Sequence, residues 1–332
     1  MPGDLSPMFR ALLPGAFLLA ALTAQERGPA AGKAPASAER GRFESATFAS
    51  KALGRDVAFG VHLPPGYDAD TARKYPVVFW LHGMFEDHAR FNLRGGSEVV
   101  GELYARQALP PVLIATVDGG RTSFYCNGVQ SGAYEDLIVK DFIPYIEAHY
   151  RALGTRQGRS IAGTSMGGNG ALKIALRHPE LFCAVATHSA ALFPVDLDEL
   201  PARFKRTLDS QFGEHFKAIW GDPVDKARWA SDNPLALAAK ATPESLQGLA
   251  IAMDCGDRDR YQFFLPGKQL HEILTRQKIP NEWNVLPGGH GWGDYLVLYL
   301  DRSLKFLTAR MAGGDKAAAS QPAASQPAQR KG

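Results

Sequence analysis

The residues best placed for chemistry are Gly163-Thr164-Ser165-Met166-Gly167, a G-x-S-x-G pentapeptide. A strand-like RSIAG leads into it and a helix-like ALKIALRH follows, which is the strand-turn-helix context such a serine needs to stand exposed on a sharp bend. Glycines two residues to either side remove side chains that would collide with the bend. The helix that follows turns its amides and positive dipole end toward the same point, where an oxyanion would form. The pentapeptide read only as a Gly/Ser turn would need none of this flanking pattern, so nucleophilic catalysis by Ser165 is the stronger reading.

A hydroxyl is a weak nucleophile at neutral pH. A histidine must take its proton, and a carboxylate must hold that histidine in one tautomer. In chains with this elbow the order is Ser, then Asp or Glu, then His. His290, in Pro287-Gly288-Gly289-His290-Gly291-Trp292, follows a strand-like run late in the chain and is the expected general base. Asp254, Asp257 and Asp259 cluster after the run LAIAMD. Asp259 is the expected acid, because the loop has turned back over the sheet three residues after Gly256; Asp257 is the reserve, and a surface ion pair with Arg258 or Arg260 is the rival explanation. The oxyanion donors are expected to be the main-chain N–H groups of Met166 and Met84, the latter in the loop His82-Gly83-Met84-Phe85. His82 is read as holding that loop rather than as a base.

These residues need a sheet whose carboxyl edge gathers them. The runs Tyr75 to Leu81, Pro111 to Val117, Arg159 to Gly163, Phe182 to Thr187, Leu249 to Asp254 and Glu282 to Leu286 read as strands, several of them apolar on consecutive positions, as strands covered on both faces must be. They alternate with amphipathic stretches at Tyr134 to Tyr150 (with a bend at Pro144), Met166 to Arg177, Gln262 to Gln277 and Gly293 to Ala309. The expected architecture is therefore α/β, a mostly parallel sheet with helices on both faces. Arg42 to Ser50 and Arg55 to Pro64 predict an antiparallel edge hairpin turned at Gly54. Leu197 to Ala239 is polar with a helical pattern and reads as an insertion over the top of the sheet.

The 332 residues, 45% hydrophobic and 21% charged, suit one large domain, expected over residues 43–312. A net charge of +3 without a dense basic run points to neither nucleic acid nor an anionic membrane surface as partner. Ala11 to Ala24, preceded by Arg10, has the build of a secretory signal peptide over residues 1–24, too short to span a membrane. Met8-Phe9-Arg10 would give a cleaner start than Met1. A flexible lead-in is expected over 25–42 and a disordered tail over 313–332, where ASQPA repeats. Export implies a secreted or periplasmic protein. Cys126, Cys183 and Cys255 are too few for a disulfide framework, and no His/Cys spacing reads as a zinc site, so neither metal nor cofactor is expected.

Taken together, Leu81-His82-Gly83, Asp118-Gly119-Gly120, Tyr134-Glu135-Asp136, the run Arg159 to Gly168, Asp254-Cys255-Gly256 with Asp259, and Gly288 to Trp292 resemble the esterase D-like family of the α/β-hydrolase fold. That family includes feruloyl and acetylxylan esterases, enterochelin esterases, S-formylglutathione hydrolases and mycolyltransferases. The resemblance covers nearly all of Phe43 to Leu307. It implies a serine esterase in which Ser165, Asp259 and His290 act together. It also implies that Asp118 to Asn127 borders the substrate pocket, with Phe124, Tyr125 and Trp292 offering aromatic surface; core packing is the alternative for each. Glu135 and Asp136 read as buried polar braces. The leading expectation is hydrolysis of a small or polysaccharide-linked carboxylic ester, feruloyl or acetyl. The alternatives are acyl transfer to a sugar and an inactive glycan-binding module. Cytoplasmic S-formylglutathione is disfavoured by the signal-like start. Acyl length, leaving alcohol and oligomeric state stay open.

Overall fold

The computed structural model describes residues 40–202, 204, 205 and 213–312. The expected signal peptide, nearly all of the lead-in, and the tail lie outside these residues.

Among the described residues ten strands form in chain order. β1 (Arg42–Ser50) and β2 (Arg55–Leu63) make the expected hairpin, closed by a turn in which Gly54 takes a φ of 63°. β3 (Val77–Leu81), β4 (Leu113–Val117), β7 (Arg159–Thr164), β8 (Ala184–His188), β9 (Ala250–Gly256) and β10 (Asn281–Leu286) follow the apolar runs. A two-residue pair, β5 (Asn127–Gly128) with β6 (Gly132–Ala133), is a small separate ribbon. The main sheet has the order β1-β2-β4-β3-β7-β8-β9-β10. β2 runs antiparallel to both neighbours, and every pairing from β4 to β10 is parallel.

The alternation along β3 shows why a run such as VVFWL is apolar throughout, whereas β10, at the sheet edge, is only partly buried and mixed in composition. Val77, Phe79 and Leu81 enter the hydrophobic cluster on one face, while Val78 and Trp80 enter the cluster on the other. Both faces are covered, so a period-2 signal is absent and composition alone marks the strand. α1 (Gly96–Ala105) and α8 (Val297–Thr308) pack together on the second face. α2 (Ile143–His149) and α3 (Met166–Arg177) lie on the first. The bend expected at Pro144 takes the form of a wider helical turn over Leu137–Phe142, immediately before α2.

The region from Leu197 to Ala239 does not all sit over the sheet. α4 (Gly213–Trp220) and α5 (Lys226–Ser231) belong to the crossover, but α6 (Pro234–Lys240) buries Leu235, Ala236 and Ala238 and packs against α3 and α7 (Phe264–Arg276). Its apolar face makes it part of the covering layer, which corrects the reading of the whole segment as a polar insertion.

The strand order reverses at β3. Its chain successor β4 lies on one side and β7 on the other, so the loops after β3 and β7 leave the sheet edge in different directions and open a crevice between them. That crevice is where Gly83 and Ser165 meet.

Candidate active site

Ser165 occupies the turn between β7 and α3 with φ 53° and ψ −118°, a strained conformation for a residue with a Cβ. Its environment holds it there. The Ser165 amide donates to the His188 carbonyl (3.0 Å), and its carbonyl accepts from the amides of Asn169 (3.0 Å) and Ala191 (2.8 Å). Gly163 and Gly167 are required by close approach: a Cβ on Gly163 would sit 2.8 Å from the Leu81 carbonyl oxygen, and one on Gly167 would sit 2.6 Å from that of His82.

The three side chains named from sequence lie together. His290 Nε2 is 3.0 Å from Ser165 Oγ, and His290 Nδ1 is 2.8 Å from Asp259 Oδ2. Asp259 is buried, and each of its oxygens is engaged: Oδ1 accepts from the Tyr261 amide (2.7 Å), Oδ2 from His290 and from the Cys255 thiol (3.3 Å). Burial alone would push the Asp259 carboxyl up, but the His290 hydrogen bond and charge and the Tyr261 amide outweigh it, so it sits below the ordinary aspartate value. An ionised Asp259 assigns the proton to His290 Nδ1, leaving Nε2 free to accept the Ser165 proton. The imidazole is wedged edge-on against Tyr261, with ring centroids 4.8 Å apart, and touches Phe263.

Asp257 is not the partner of His290. It accepts from the Gly288 amide (2.9 Å) and so fixes the base of the histidine loop. Asp254 is engaged elsewhere as well. Its Oδ1 accepts from Tyr295 and lies 2.8 Å from His188 Nδ1, while His188 Nε2 is 2.8 Å from Ser303 Oγ. The imidazole of this second Ser-His-Asp chain is fully buried, its two partners nearly so, and the Ser303 hydroxyl is also tied to the Leu300 carbonyl. It ties the ends of β8 and β9 to α8, directly behind the Ser165 amide.

Met84 and Met166 both line the cavity at Ser165, and among the described residues neither main-chain amide has an acceptor. A Cβ on Gly83 would lie 3.7 Å from Ser165 Cβ, so this loop runs alongside the nucleophile. His82 holds it from beneath: its Nδ1–H donates to the Gly83 carbonyl (2.7 Å) and its Nε2 accepts from the Gly119 amide (3.1 Å). Burial pushes His82 below its ordinary value, consistent with this neutral form. Glu86, which the sequence reading passed over, clamps the loop from the other side. Its Oε2 accepts from the Gly83 amide (2.9 Å) and its Oε1 from the Trp292 indole (2.8 Å).

The cavity encloses about 580 Å³, and its wall is largely aromatic: Phe85, Phe124, Phe193, Phe204, Phe216, Tyr261, Phe263 and Trp292. Phe124 and Trp292 are therefore on the cavity wall. Tyr125 is not. Phe124 and Tyr125 take consecutive φ values of 49° and 53°, which send the second ring inward. There it is fully buried, with its hydroxyl donating to the His82 carbonyl (3.2 Å) and its ring filling the space left by the missing side chain of Gly170. Tyr125 braces the His82 to Phe85 loop and takes no part in the cavity wall. Phe193, Phe204, Phe216 and Phe263 went unread because isolated aromatics in helical or irregular segments look like core.

Glu135 is a buried brace, meeting Lys173 (3.2 Å), Arg177 and His178 (3.1 Å) behind α3. Asp136 is not buried; it holds Asn127 and Lys140 at the surface. Cys126, Cys183 and Cys255 are buried and free.

The sheet order, the crevice at β3 and β7 and the serine elbow define the α/β-hydrolase fold. Within it, a family model described as "Putative esterase" matches residues 50–305, and the chain belongs to that family. An esterase of Mycobacterium tuberculosis is 28% identical over 264 residues, covering 73% of this chain and 54% of that protein. The chain thus spans about half the length of that relative. S-formylglutathione hydrolase of Arabidopsis thaliana is 24% identical over 256 residues, covering 72% of this chain and 83% of the hydrolase. Among solved structures, a ferulic acid esterase superposes with a TM-score of 0.68 at 29% identity, over 82% of this chain and 98% of that one.

Proposed function

We propose that this chain hydrolyses carboxylic esters through an acyl-enzyme on Ser165. The observation that carries the reading is the pair of contacts made by one imidazole, 3.0 Å to Ser165 Oγ and 2.8 Å to Asp259 Oδ2. As Ser165 Oγ bonds to the ester carbonyl carbon, its proton passes to His290 Nε2, and the carbonyl oxygen becomes an oxyanion facing the Met84 and Met166 amides. The C–O bond to the alcohol then breaks, and the alcohol leaves with the proton from His290. Water adds to the acyl-enzyme by the same route, giving the carboxylic acid and free Ser165.

The acyl part we propose is aromatic, of the feruloyl kind. The aromatic wall of the cavity supports this, as does likeness to a structure named as a ferulic acid esterase. The Ala11 to Ala24 run supports a place of action outside the cytoplasm. The test is steady-state hydrolysis of 4-nitrophenyl acetate and methyl ferulate by the wild type and by Ser165→Ala. Wild-type turnover of both esters, lost in the variant while its thermal unfolding is unchanged, is the expected result. Equal turnover by the variant would remove Ser165 from the reaction.

A further inference from the structure

Among the charged side chains lining the cavity, Arg260 stands apart. Glu86 has each oxygen engaged by an N–H donor, one from Gly83 and one from Trp292. Neighbouring Arg258 is met by Asp257 at 3.6 Å, and Asp259 is turned inward to His290. Among the described residues Arg260 has no carboxylate partner of its own. Its guanidinium rests over the Tyr261 ring, 4.8 Å from the centroid, and Tyr261 in turn packs on His290. The charge is therefore held at the cavity wall by an aromatic face, and among the described residues its exposed guanidinium has no hydrogen-bond acceptor. A guanidinium fork matches a carboxylate in two parallel hydrogen bonds.

We propose that Arg260 is a specificity-determining residue that binds a carboxylate carried by the substrate. The preferred ester would then be an anionic one, with the carboxylate on its acid or its alcohol part. This inference rests on the Ser165 esterase reading and adds a substrate class to it. An aryl wall with one stacked cation suits a ligand that is apolar along most of its length and acidic at one end.

The experiment compares two matched pairs at a pH where every carboxylate is ionised. For the acid part, the pair is 4-nitrophenyl hydrogen adipate with 4-nitrophenyl hexanoate. For the alcohol part, it is 4-acetoxybenzoate with its neutral methyl ester. The readout is the ratio of kcat/KM within each pair, which cancels general effects of a substitution on turnover. In Arg260→Gln the ratio of charged to neutral ester should fall by about fivefold or more in one pair, with Arg260→Lys in between. The wild-type ratio in that pair should also decline as salt is raised from about 0.05 M to about 0.5 M. Ratios unchanged by Arg260→Gln in both pairs would overturn the inference while leaving the esterase reading standing. Wild-type failure on all four esters would instead contradict the reading on which it rests.

Discussion

Glu86 Oε1 accepts a hydrogen bond from the Trp292 indole nitrogen at 2.8 Å, across 206 positions of sequence. The other oxygen of the same carboxylate holds the Gly83 amide. One side chain thus ties the loop that carries Met84 to the loop that carries His290. The clamp joins the irregular segment at Gly83 to Trp292, the first residue of a helical turn, and so holds the Met84 and His290 segments in register.

Glu86→Gln is therefore expected to lower kcat by about tenfold while Ser165 remains reactive, because an amide can accept from only one of the two donors with its oxygen. Glu86→Ala should cost more. Parallel kcat and thermal-unfolding measurements check this; a drop in stability with kcat intact would make Glu86 merely structural.

Asp259→Asn should keep the fold and lose most of the activity. The amide can donate to His290 Nδ1 and so favour the tautomer with its proton on Nε2, where it cannot accept from Ser165. A fall in kcat/KM of about 10³-fold or more is expected. A loss below about tenfold would mean that the carboxylate at Asp257 or Asp254 can take its place.

Glu135 gives a prediction about acid stability. Burial pushes its carboxyl up, but the His178 hydrogen bond, then Lys173 and Arg177, outweigh it and bring it to about 2 from an ordinary 4.5. The folded value is depressed, so the unfolded chain binds more protons between the two. The contribution to stability is complete above about 4.5 and is lost as pH falls toward 2. Denaturant unfolding across this range should show stability falling with acid in the wild type and a flatter dependence in Glu135→Gln. At neutral pH that variant should be less stable by about 3–5 kcal/mol, because it leaves the buried Lys173 ammonium without its carboxylate.

Tyr125→Phe should lower stability by about 1 kcal/mol through loss of the bond to the His82 carbonyl, with KM unchanged. A substantial change in KM with unaltered stability would return Tyr125 to the substrate surface.

The difference between Ser165 and Tyr125 shows what the sequence could and could not carry. The elbow is local: strand, glycine, serine, glycine and helix are contiguous, so position follows from composition over about a dozen residues. His290 and Asp259 were legible through chain order and glycine-rich loops at strand ends. Tyr125 sits in a loop whose direction is decided by two successive left-handed residues and by space at Gly170, neither of which has a signature in residue type. Glu86 was illegible for a different reason: its meaning depends on Trp292, a partner that only the closed sheet brings near. The aromatic wall was missed likewise, since Phe193, Phe204 and Phe216 come from the long connection between β8 and β9 and Phe263 from the one between β9 and β10.

The convergence of Ser165, His290 and Asp259 is tested most directly by reaction with a fluorophosphonate, followed by mapping of the modified peptide. One adduct is expected, on Ser165, formed at least about 10²-fold more slowly in His290→Ala of unchanged fold. An adduct on another serine, or an equal rate in the His290→Ala protein, would contradict that convergence.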